Sequence, residues 1–364
     1  MVAAADREFM RLALVNAARG RGTTSPNPMV GCVIVSPDGV VVGSGYHARA
    51  GGPHAEIRAL AAAGSRARGA TLYSTLEPCC HQGRTGPCVV PIVEAGVRRV
   101  VAAMSDPNPL VAGRGLVFLR ERGLDVTAGV LEAEAAALNR AFVTAVTRGR
   151  PHVTMKVATS LDARVAGMRG ARTPLSSSEA SRRVQLLRAE MDAIAVGSET
   201  ILVDDPLLTV RTVFRQRPFL RVILDRRLRV PPTSRVFTTL GTGPVIVFTV
   251  ASRVESEAAR VAAVQAAGAE VVATAGGGFE EALQVLAARE VRSVLLEGGP
   301  TIHRAAWQAR CVDRVVAIVT PRVLGRQGVP WDLAGDFSLA GLENGQVLPL
   351  GPDVLIEGDV HRTH

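Results

Sequence analysis

The side chains with the clearest chemical potential are a histidine and two cysteines near the start of the chain. They are His54, Cys79 and Cys88, and Glu56 follows the histidine by two positions. A catalytic zinc ion takes about three protein ligands and keeps one position open for water. Imidazole and thiolate donors favour Zn²⁺ over Mg²⁺ or Ca²⁺. The set predicts a catalytic zinc site in which Glu56 moves protons to and from the metal's water without binding the metal itself.

The assignment of the ligands leaves one competitor and one structural alternative. Cys80 directly follows Cys79 and could take its place. A buried free cysteine often packs simply as a small apolar residue, but the conjunction with His54 and Glu56 favours a metal site. His54 and Cys79 each follow a proline, so both are predicted at helix starts, where partial positive charge favours a thiolate.

The composition limits the class of protein. Hydrophobic residues make up 47% of the 364 residues and aromatic residues only 4%, which suits α/β layers built from Val, Leu, Ile and Ala. The net charge of +9 comes from scattered arginines with few aromatic residues between them, which disfavours a nucleic-acid surface. Three cysteines within ten residues indicate metal binding in a reducing compartment, and we expect a cytoplasmic protein without signal peptide or membrane span.

Hydrophobic periodicity divides the chain into two parts. Helices are predicted over residues 4–19 and 53–63, and a single amphipathic helix over 131–146. Glycine, arginine and proline at 148–151 then mark a boundary, which predicts domains at 1–147 and 151–364. In the second domain, apolar strands alternate with helices, as in a mostly parallel sheet covered on both faces.

A second candidate site lies at the motif Glu297-Gly298-Gly299-Pro300, between a predicted strand and a predicted helix. Glycines there would let backbone amides approach a phosphate, although such a motif alone is often a plain turn. The first strand is not followed by Gly-x-Gly-x-x-Gly, which argues against an ordinary Rossmann domain.

Longer motifs in the same order carry a resemblance to a known family. These are the stretches 25–31, 50–56, 75–88, 106–109, 151–162, 197–211 and 296–301. Their sequence resembles the bacterial deaminase–reductase family of riboflavin synthesis over almost the whole chain. The eight residues between Cys79 and Cys88 also resemble this family, whereas nucleoside and tRNA deaminases place the two cysteines two residues apart.

The resemblance implies a cytidine-deaminase-like α/β/α domain followed by a dihydrofolate-reductase-like α/β domain, with Zn²⁺ and NADPH as cofactors. It also implies that Asn27 binds the pyrimidine ring of a phosphorylated substrate, with His47 and the Arg84 region nearby. Alternatively, Asn27 has only a structural role, as a turn residue between two prolines. In the second domain it implies an NADPH site at Ala158, Thr200, Asp204, Gly298 and Gly299, and substrate contacts at Arg188, Leu208, Arg211 and Glu297. Lys156 and Asp204 are the polar candidates near hydride transfer.

The chain departs from the family at three positions of the second domain. Ala163 stands where the family usually has glycine, and Arg172 and Pro174 stand in a stretch that usually carries tryptophan. These departures leave open a deaminase whose rear domain has lost reductase activity or changed its substrate. A nucleic-acid base deaminase is the further alternative, and a homo-oligomer is compatible with the sequence.

Overall fold

The computed structural model describes residues 4–82, 86–109, 111–215, 217–333 and 337–360. The chain divides into two compact units, Met1–Gly149 and Arg150–His364.

The first unit is a five-stranded sheet with helices on both faces. Its strands, in spatial order β2-β1-β3-β4-β5, run antiparallel at the β2–β1 and β1–β3 contacts and parallel across β3, β4 and β5. In chain order the elements are α1 (Ala4–Ala18), β1 (Gly31–Val35), β2 (Val41–Tyr46), α2 (Ala55–Ala63), β3 (Thr71–Ser74), α3 (Val89–Glu94), β4 (Arg99–Ala102), α4 (Arg114–Glu121), β5 (Asp125–Ala128), α5 (Glu132–Leu138) and α6 (Arg140–Arg148). A short 3₁₀ helix, Gly64–Ala67, follows α2.

Glycines in the sheet allow α2 to lie directly against β2. A Cβ atom on Gly43 or Gly45 would come within 2.3 or 2.6 Å of main-chain oxygens of α2. On the opposite face, a Cβ on Gly31 would come within 2.0 Å of a main-chain oxygen of α1. The two helices therefore pack on opposite faces of the sheet, and the start of α2 is held at its surface.

The single helix predicted over residues 131–146 is wrong. The structure has two helices, α5 and α6, separated at Asn139, whose φ of −103° and ψ of 20° depart from helical values. The buried Asn139 side chain makes hydrogen bonds to the main chain of Met29 at this break.

The second unit is a nine-stranded sheet in the spatial order β11-β10-β9-β8-β12-β6-β13-β16-β15. The first seven strands in that spatial order run parallel to one another. Strand β16 then pairs antiparallel with β13, and β15 pairs antiparallel with β16. The elements are β6 (His152–Thr159), β7 (Arg164–Ala166), α7 (Ser178–Glu190), β8 (Ala193–Gly197), α8 (Ser198–Asp204), β9 (Leu220–Leu224), β10 (Val245–Val250), α9 (Ala251–Ser256), α10 (Ala258–Ala266), β11 (Ala269–Thr274), α11 (Phe279–Ala288), β12 (Ser293–Glu297), α12 (Pro300–Gln308), β13 (Arg314–Val319), β14 (Val329–Pro330), β15 (Leu342–Leu350) and β16 (Asp353–Val360), with 3₁₀ helices at Arg235–Thr242 and Leu339–Gly341.

Separate apolar clusters cover the two faces of this sheet. One includes Phe279 of α11 and Ala306 of α12, and the other includes Leu187 of α7 and Val264 of α10. Successive strand residues alternate between the clusters, as the pleat of a strand buried on both faces requires. The predicted mostly parallel sheet with helices on both faces is confirmed. Among the helices described in the structure, none has the length and apolar character needed to cross a membrane.

Candidate metal centre and cofactor cleft

Three side chains of the first unit form a group that could hold a metal ion. The ligand atoms of His54, Cys79 and Cys88 all lie within 4.8 Å of one another, and Cys80 is outside this group. His54 Nδ1 lies 3.1 Å from Cys88 Sγ and 3.5 Å from Cys79 Sγ. His54 precedes α2, Cys79 lies in the loop after β3, and Cys88 precedes α3. The fold thus brings together residues that are 34 positions apart.

Two details of the predicted helix starts are wrong. Helix α2 begins at Ala55, so Pro53 lies outside it and His54, with extended backbone angles, is the residue immediately before the helix. Cys79 does not begin a helix either; Cys88 occupies that position, before α3. Cys79 is instead held in its loop because its sulfur accepts the Cys88 N–H at 3.3 Å and its carbonyl accepts the Val89 N–H at 3.3 Å.

The surroundings of Cys79 favour its thiolate. The hydrogen bond from the Cys88 side chain, followed by the one from His54, lowers the pKa of Cys79 to about 4. The same contact with Cys79, together with burial, raises the pKa of Cys88. Because the thiolate is the form that binds a metal, this donor set suits Zn²⁺, and a cation between the sulfurs would favour the second thiolate as well.

Glu56 is buried at the side of the metal group, with 3% of its surface exposed. Its Oε2 lies 3.7 Å from Cys88 Sγ, and its Oε1 accepts a hydrogen bond from Ser74 at 3.1 Å. Burial is the main cause that raises the pKa of this carboxyl group. The carboxylate is therefore next to the metal group but outside its three donor atoms.

A hydrogen-bonded pair lies beside these residues. Asn27 Nδ2 is 3.1 Å from His47 Nε2, and His47 Nδ1 is 3.2 Å from the carbonyl oxygen of Pro53. Since a carbonyl only accepts, Nδ1 carries the proton and Nε2 accepts from the Asn27 amide. The His47 ring is 5.4 Å from the His54 ring, centroid to centroid. The contact gives the Asn27 side chain a fixed partner beside His54. The predicted Arg84 region lies outside the described residues.

Sequence reasoning missed Glu77. Its buried carboxylate accepts main-chain hydrogen bonds of 2.8 to 3.2 Å from four residues, Asp106, Gly113, Gly115 and Leu116. It thereby holds the segment 106–116 next to the cysteine loop. The signal available in the sequence was its position, two residues before Cys79.

The second unit has a cleft of about 2000 Å³. It lies at the carboxyl ends of neighbouring parallel strands, as is general for ligand sites in α/β sheets. It is lined by the nine residues of the second unit that the family resemblance assigned to cofactor and substrate: Ala158, Arg188, Thr200, Asp204, Leu208, Arg211, Glu297, Gly298 and Gly299. The fold thus gathers residues from distant parts of the second unit around one cavity.

The turn at Gly298 and Gly299 lines the cleft directly before helix α12. Gly298 has φ +147°, and a Cβ there would lie 3.0 Å from Ile302 Cγ2 and 3.4 Å from Thr200 Oγ1. Gly299 directly precedes α12, whose first residue is Pro300. The turn thus brings main-chain amides and the positive end of a nine-residue helix to the cleft.

Arg188 lies on α7 and is largely buried, with 13% of its side chain exposed. Its guanidinium donates two hydrogen bonds of 2.7 Å to the Glu297 carboxylate and a third to the Thr209 carbonyl. Burial lowers the pKa of the neighbouring Lys156, which also lines the cleft. Burial would raise the pKa of Glu297, but the charges of Arg188 and Lys156 outweigh it and lower that pKa. These three residues form a buried charged group at the floor of the cleft.

The departures from the family lie at or near the same cleft. Arg172 and Pro174 line it, and the charge of Arg172 acts on Asp204, where it opposes the larger effect of burial, which raises the pKa of that carboxyl. Ala163 has a left-handed φ of +57° in the turn between β6 and β7. Four further arginines line the cleft near the ends of β9 and β10, namely Arg226, Arg227, Arg229 and Arg253. The sequence favoured a scattered surface charge for these arginines, and their positions just after strands were the signal that they line a cleft.

Comparison with known proteins covers both units. Residues 3–104 match the cytidine and deoxycytidylate deaminase zinc-binding region, and residues 151–356 match the RibD C-terminal domain. The riboflavin biosynthesis protein RibD of Aquifex aeolicus is 39% identical over 98% of this chain and 99% of its own length. The structure of Acinetobacter baumannii RibD (form 1) has a TM-score of 0.85 and 36% identity, covering 98% of this chain and 99% of that one.

A third similar protein is named by its activities. The crystal structure of a diaminohydroxyphosphoribosylaminopyrimidine deaminase/5-amino-6-(5-phosphoribosylamino)uracil reductase from Thermotoga maritima has a TM-score of 0.82 and 33% identity. The match covers 97% of this chain and 98% of that one.

Fold, sites and matches define a bifunctional enzyme in which a zinc-binding deaminase domain precedes a reductase domain. Zinc and NADPH are the cofactors of these two domains, as the sequence predicted. The chain belongs to the RibD family of riboflavin biosynthesis proteins. The predicted fold class, with a cytidine-deaminase-like domain before the reductase domain, is confirmed.

Proposed function

We propose that residues 1–147 remove the pyrimidine 2-amino group of 2,5-diamino-6-ribosylamino-4(3H)-pyrimidinone 5′-phosphate, and that residues 151–364 then reduce its ribosyl group to ribityl with NADPH. The observation that carries the first step is the convergence of one imidazole, two thiol sulfurs and a separate buried carboxylate. Support for this substrate comes from the named activities of the Thermotoga maritima relative.

His54, Cys79 and Cys88 would hold the zinc ion, since their donor atoms fit a tetrahedral site with one open position. Zinc in such a site lowers the pKa of the water it binds toward neutrality and so provides a nucleophile at neutral pH. Glu56 takes up a proton on its carboxylate and returns it to the leaving amino group, which departs as ammonia.

Asn27 would hold the pyrimidine ring. Because one N–H of its amide is donated to His47, the amide is fixed in one orientation with its carbonyl oxygen free for the ring. A ring amino or N–H group would donate a hydrogen bond to that oxygen.

In the second unit, the turn at Gly298 and Gly299 would bind a phosphate of the cofactor, and Ala158, Thr200 and Asp204 would also contact NADPH. NADPH supplies the hydride, and the protein supplies orientation and charge. Arg211, which is exposed at the cleft, suits the substrate phosphate, and Leu208 would pack against the substrate. The Arg188–Glu297 pair, with Lys156, would hold the sugar in place.

Removal of the metal separates the two steps. We expect a chelator to abolish ammonia release from the diaminopyrimidine phosphate, and added Zn²⁺ to restore it. NADPH oxidation with the already deaminated substrate should continue in the chelated protein, because no metal group belongs to the described part of the second unit. Ammonia release that persists in metal-free protein would contradict the proposed deaminase mechanism.

The two sites also bear on the kind of substrate and on the compartment in which the protein acts. We propose small phosphorylated pyrimidines rather than nucleic acid as substrates, since the chain's family makes a small metabolite. The cysteines of the metal group require a reducing environment, which supports action in the cytoplasm. Tight, salt-sensitive binding to RNA or single-stranded DNA would favour the nucleic-acid alternative instead.

A further inference from the structure

The amide of Asn139 makes a two-point contact with the main chain of Met29. Asn139 Oδ1 accepts the Met29 N–H at 2.7 Å, and Asn139 Nδ2 donates to the Met29 carbonyl at 2.9 Å. The two residues are 110 positions apart, and Asn139 is 2% exposed. A buried amide that satisfies both polar groups of one distant residue fixes the position of that residue closely.

The contact lies at a break in helical structure. Apolar residues spaced by three or four through 131–146 favour one helix, yet the backbone departs from helical angles at Asn139, between α5 and α6. Asparagine is a weaker helix former than the alanines around it. The Asn139 side chain gains the two Met29 hydrogen bonds at this break.

Met29 lies between Asn27 and the first residue of β1. On the strand side, the chain is held by the Gly31 N–H to Thr75 Oγ1 at 3.0 Å and by the His47 N–H to the Val30 carbonyl at 2.9 Å. On the other side, the Asn27 side chain contacts His47. Asn139 holds the part of the segment between these two anchors.

We propose that Asn139 is a positioning residue for the deaminase, which acts by setting the place of Asn27 at the pyrimidine ring. The inference rests on the proposed function, in which Asn27 contacts the substrate. Asn139 itself touches neither the metal group nor the substrate in this scheme. Its effect on deamination should therefore depend entirely on Asn27.

A double-mutant cycle in the full-length, zinc-loaded protein tests this dependence. We expect Asn139→Ala to lower kcat/KM for deamination of the diaminopyrimidine phosphate about tenfold, mainly through KM, because small displacements of a substrate-orienting group have large effects. In an Asn27→Ala background, the same substitution should change kcat/KM by less than about twofold, since the group through which it acts is gone.

Three controls separate positioning from general loss of structure. The zinc content should be unchanged, because Asn139 is not part of the metal group. Thr144→Val alters a buried residue of the following helix, α6, and should leave deamination unchanged. Should Asn139→Ala fail to fold, Asn139→Asp keeps an acceptor for the Met29 N–H and loses the donor, and it should show the same dependence on Asn27.

The contrary results are distinct. Equal losses from Asn139→Ala in the wild-type and Asn27→Ala backgrounds, or no loss in either, would overturn the inference while leaving the proposed function intact. A wild-type protein that binds zinc but does not release ammonia from this substrate would contradict the proposed function, and the inference with it.

Discussion

Glu56 is buried beside the metal group but is not one of its three donors. Glu56→Gln keeps the size of the side chain and an oxygen for the Ser74 hydrogen bond, but it cannot carry the proton. We expect deamination to fall by about a hundredfold or more, since general acid–base groups contribute factors of this order. The measurement is kcat for ammonia release, with zinc content determined in the same samples.

Zinc should stay bound in Glu56→Gln, and NADPH oxidation with deaminated substrate should be unaffected. Glu121→Gln, on the exposed end of α4, is the matched control and should keep full activity. Loss of zinc together with activity would mean that Glu56 is a ligand instead.

The neighbouring cysteines Cys79 and Cys80 give a second test at the level of residues. Only Cys79 has its sulfur in the group with His54 and Cys88. We therefore expect Cys80→Ser to retain about one zinc per chain, and Cys79→Ser to lose most of it, because a hydroxyl is a poor replacement for a thiolate. Metal analysis of the purified variants measures this; loss of zinc from Cys80→Ser would reverse the assignment.

Residue types and short spacings were enough to predict the metal group, because histidine, glutamate and cysteines occur there in compact motifs. The roles of Glu77 and Asn139 could not be predicted in this way. Both side chains form hydrogen bonds to main-chain groups far away in sequence, at residues 106–116 and 29. Because every residue type offers these main-chain groups, the sequence does not show which residue is the partner.

At the level of elements, apolar strands of the second unit were predictable because both faces of the sheet are buried and the strands are nearly uniformly apolar. The antiparallel pair β15 and β16 was not predicted. Strand β15 lies at the sheet edge, is largely exposed, and contains Asn344, Gly345 and Pro349, which are typical of turns. Its strand structure comes from pairing with β16 and not from local preference.

The turn between β6 and β7 carries a strained residue. Ala163 has φ +57°, a conformation that costs an alanine about 1 kcal/mol and a glycine almost nothing. We expect Ala163→Gly to raise the free energy of unfolding of the second unit by about 1 kcal/mol. Denaturant unfolding followed by a probe in that unit measures the change.

Ala166→Gly, in strand β7 just beyond the same turn, is the matched control. There the glycine should lower stability by about 0.5–1 kcal/mol, since a regular strand gains nothing from glycine's freedom. Destabilisation by both substitutions would show that Ala163 is not strained.

At the level of the whole molecule, each compact unit contains its own set of candidate chemical groups. The metal group and Glu56 belong to the first unit, and the cleft residues belong to the second. Relatives such as the RibD proteins of Aquifex aeolicus and Acinetobacter baumannii match nearly the full chain, so the pairing of the two units is shared. The order of the two reactions then depends on which substrate each site accepts.

The most direct test is incubation of the full-length protein with the diaminopyrimidine ribosyl phosphate, with and without NADPH, followed by mass spectrometry of the products. Without NADPH, we expect a product in which one amino group has been replaced by oxygen. With NADPH, that product should gain two hydrogens on its ribosyl group. Unchanged substrate in both incubations, from protein that contains zinc, would contradict the deaminase, and a deaminated product that NADPH leaves unchanged would contradict the reductase.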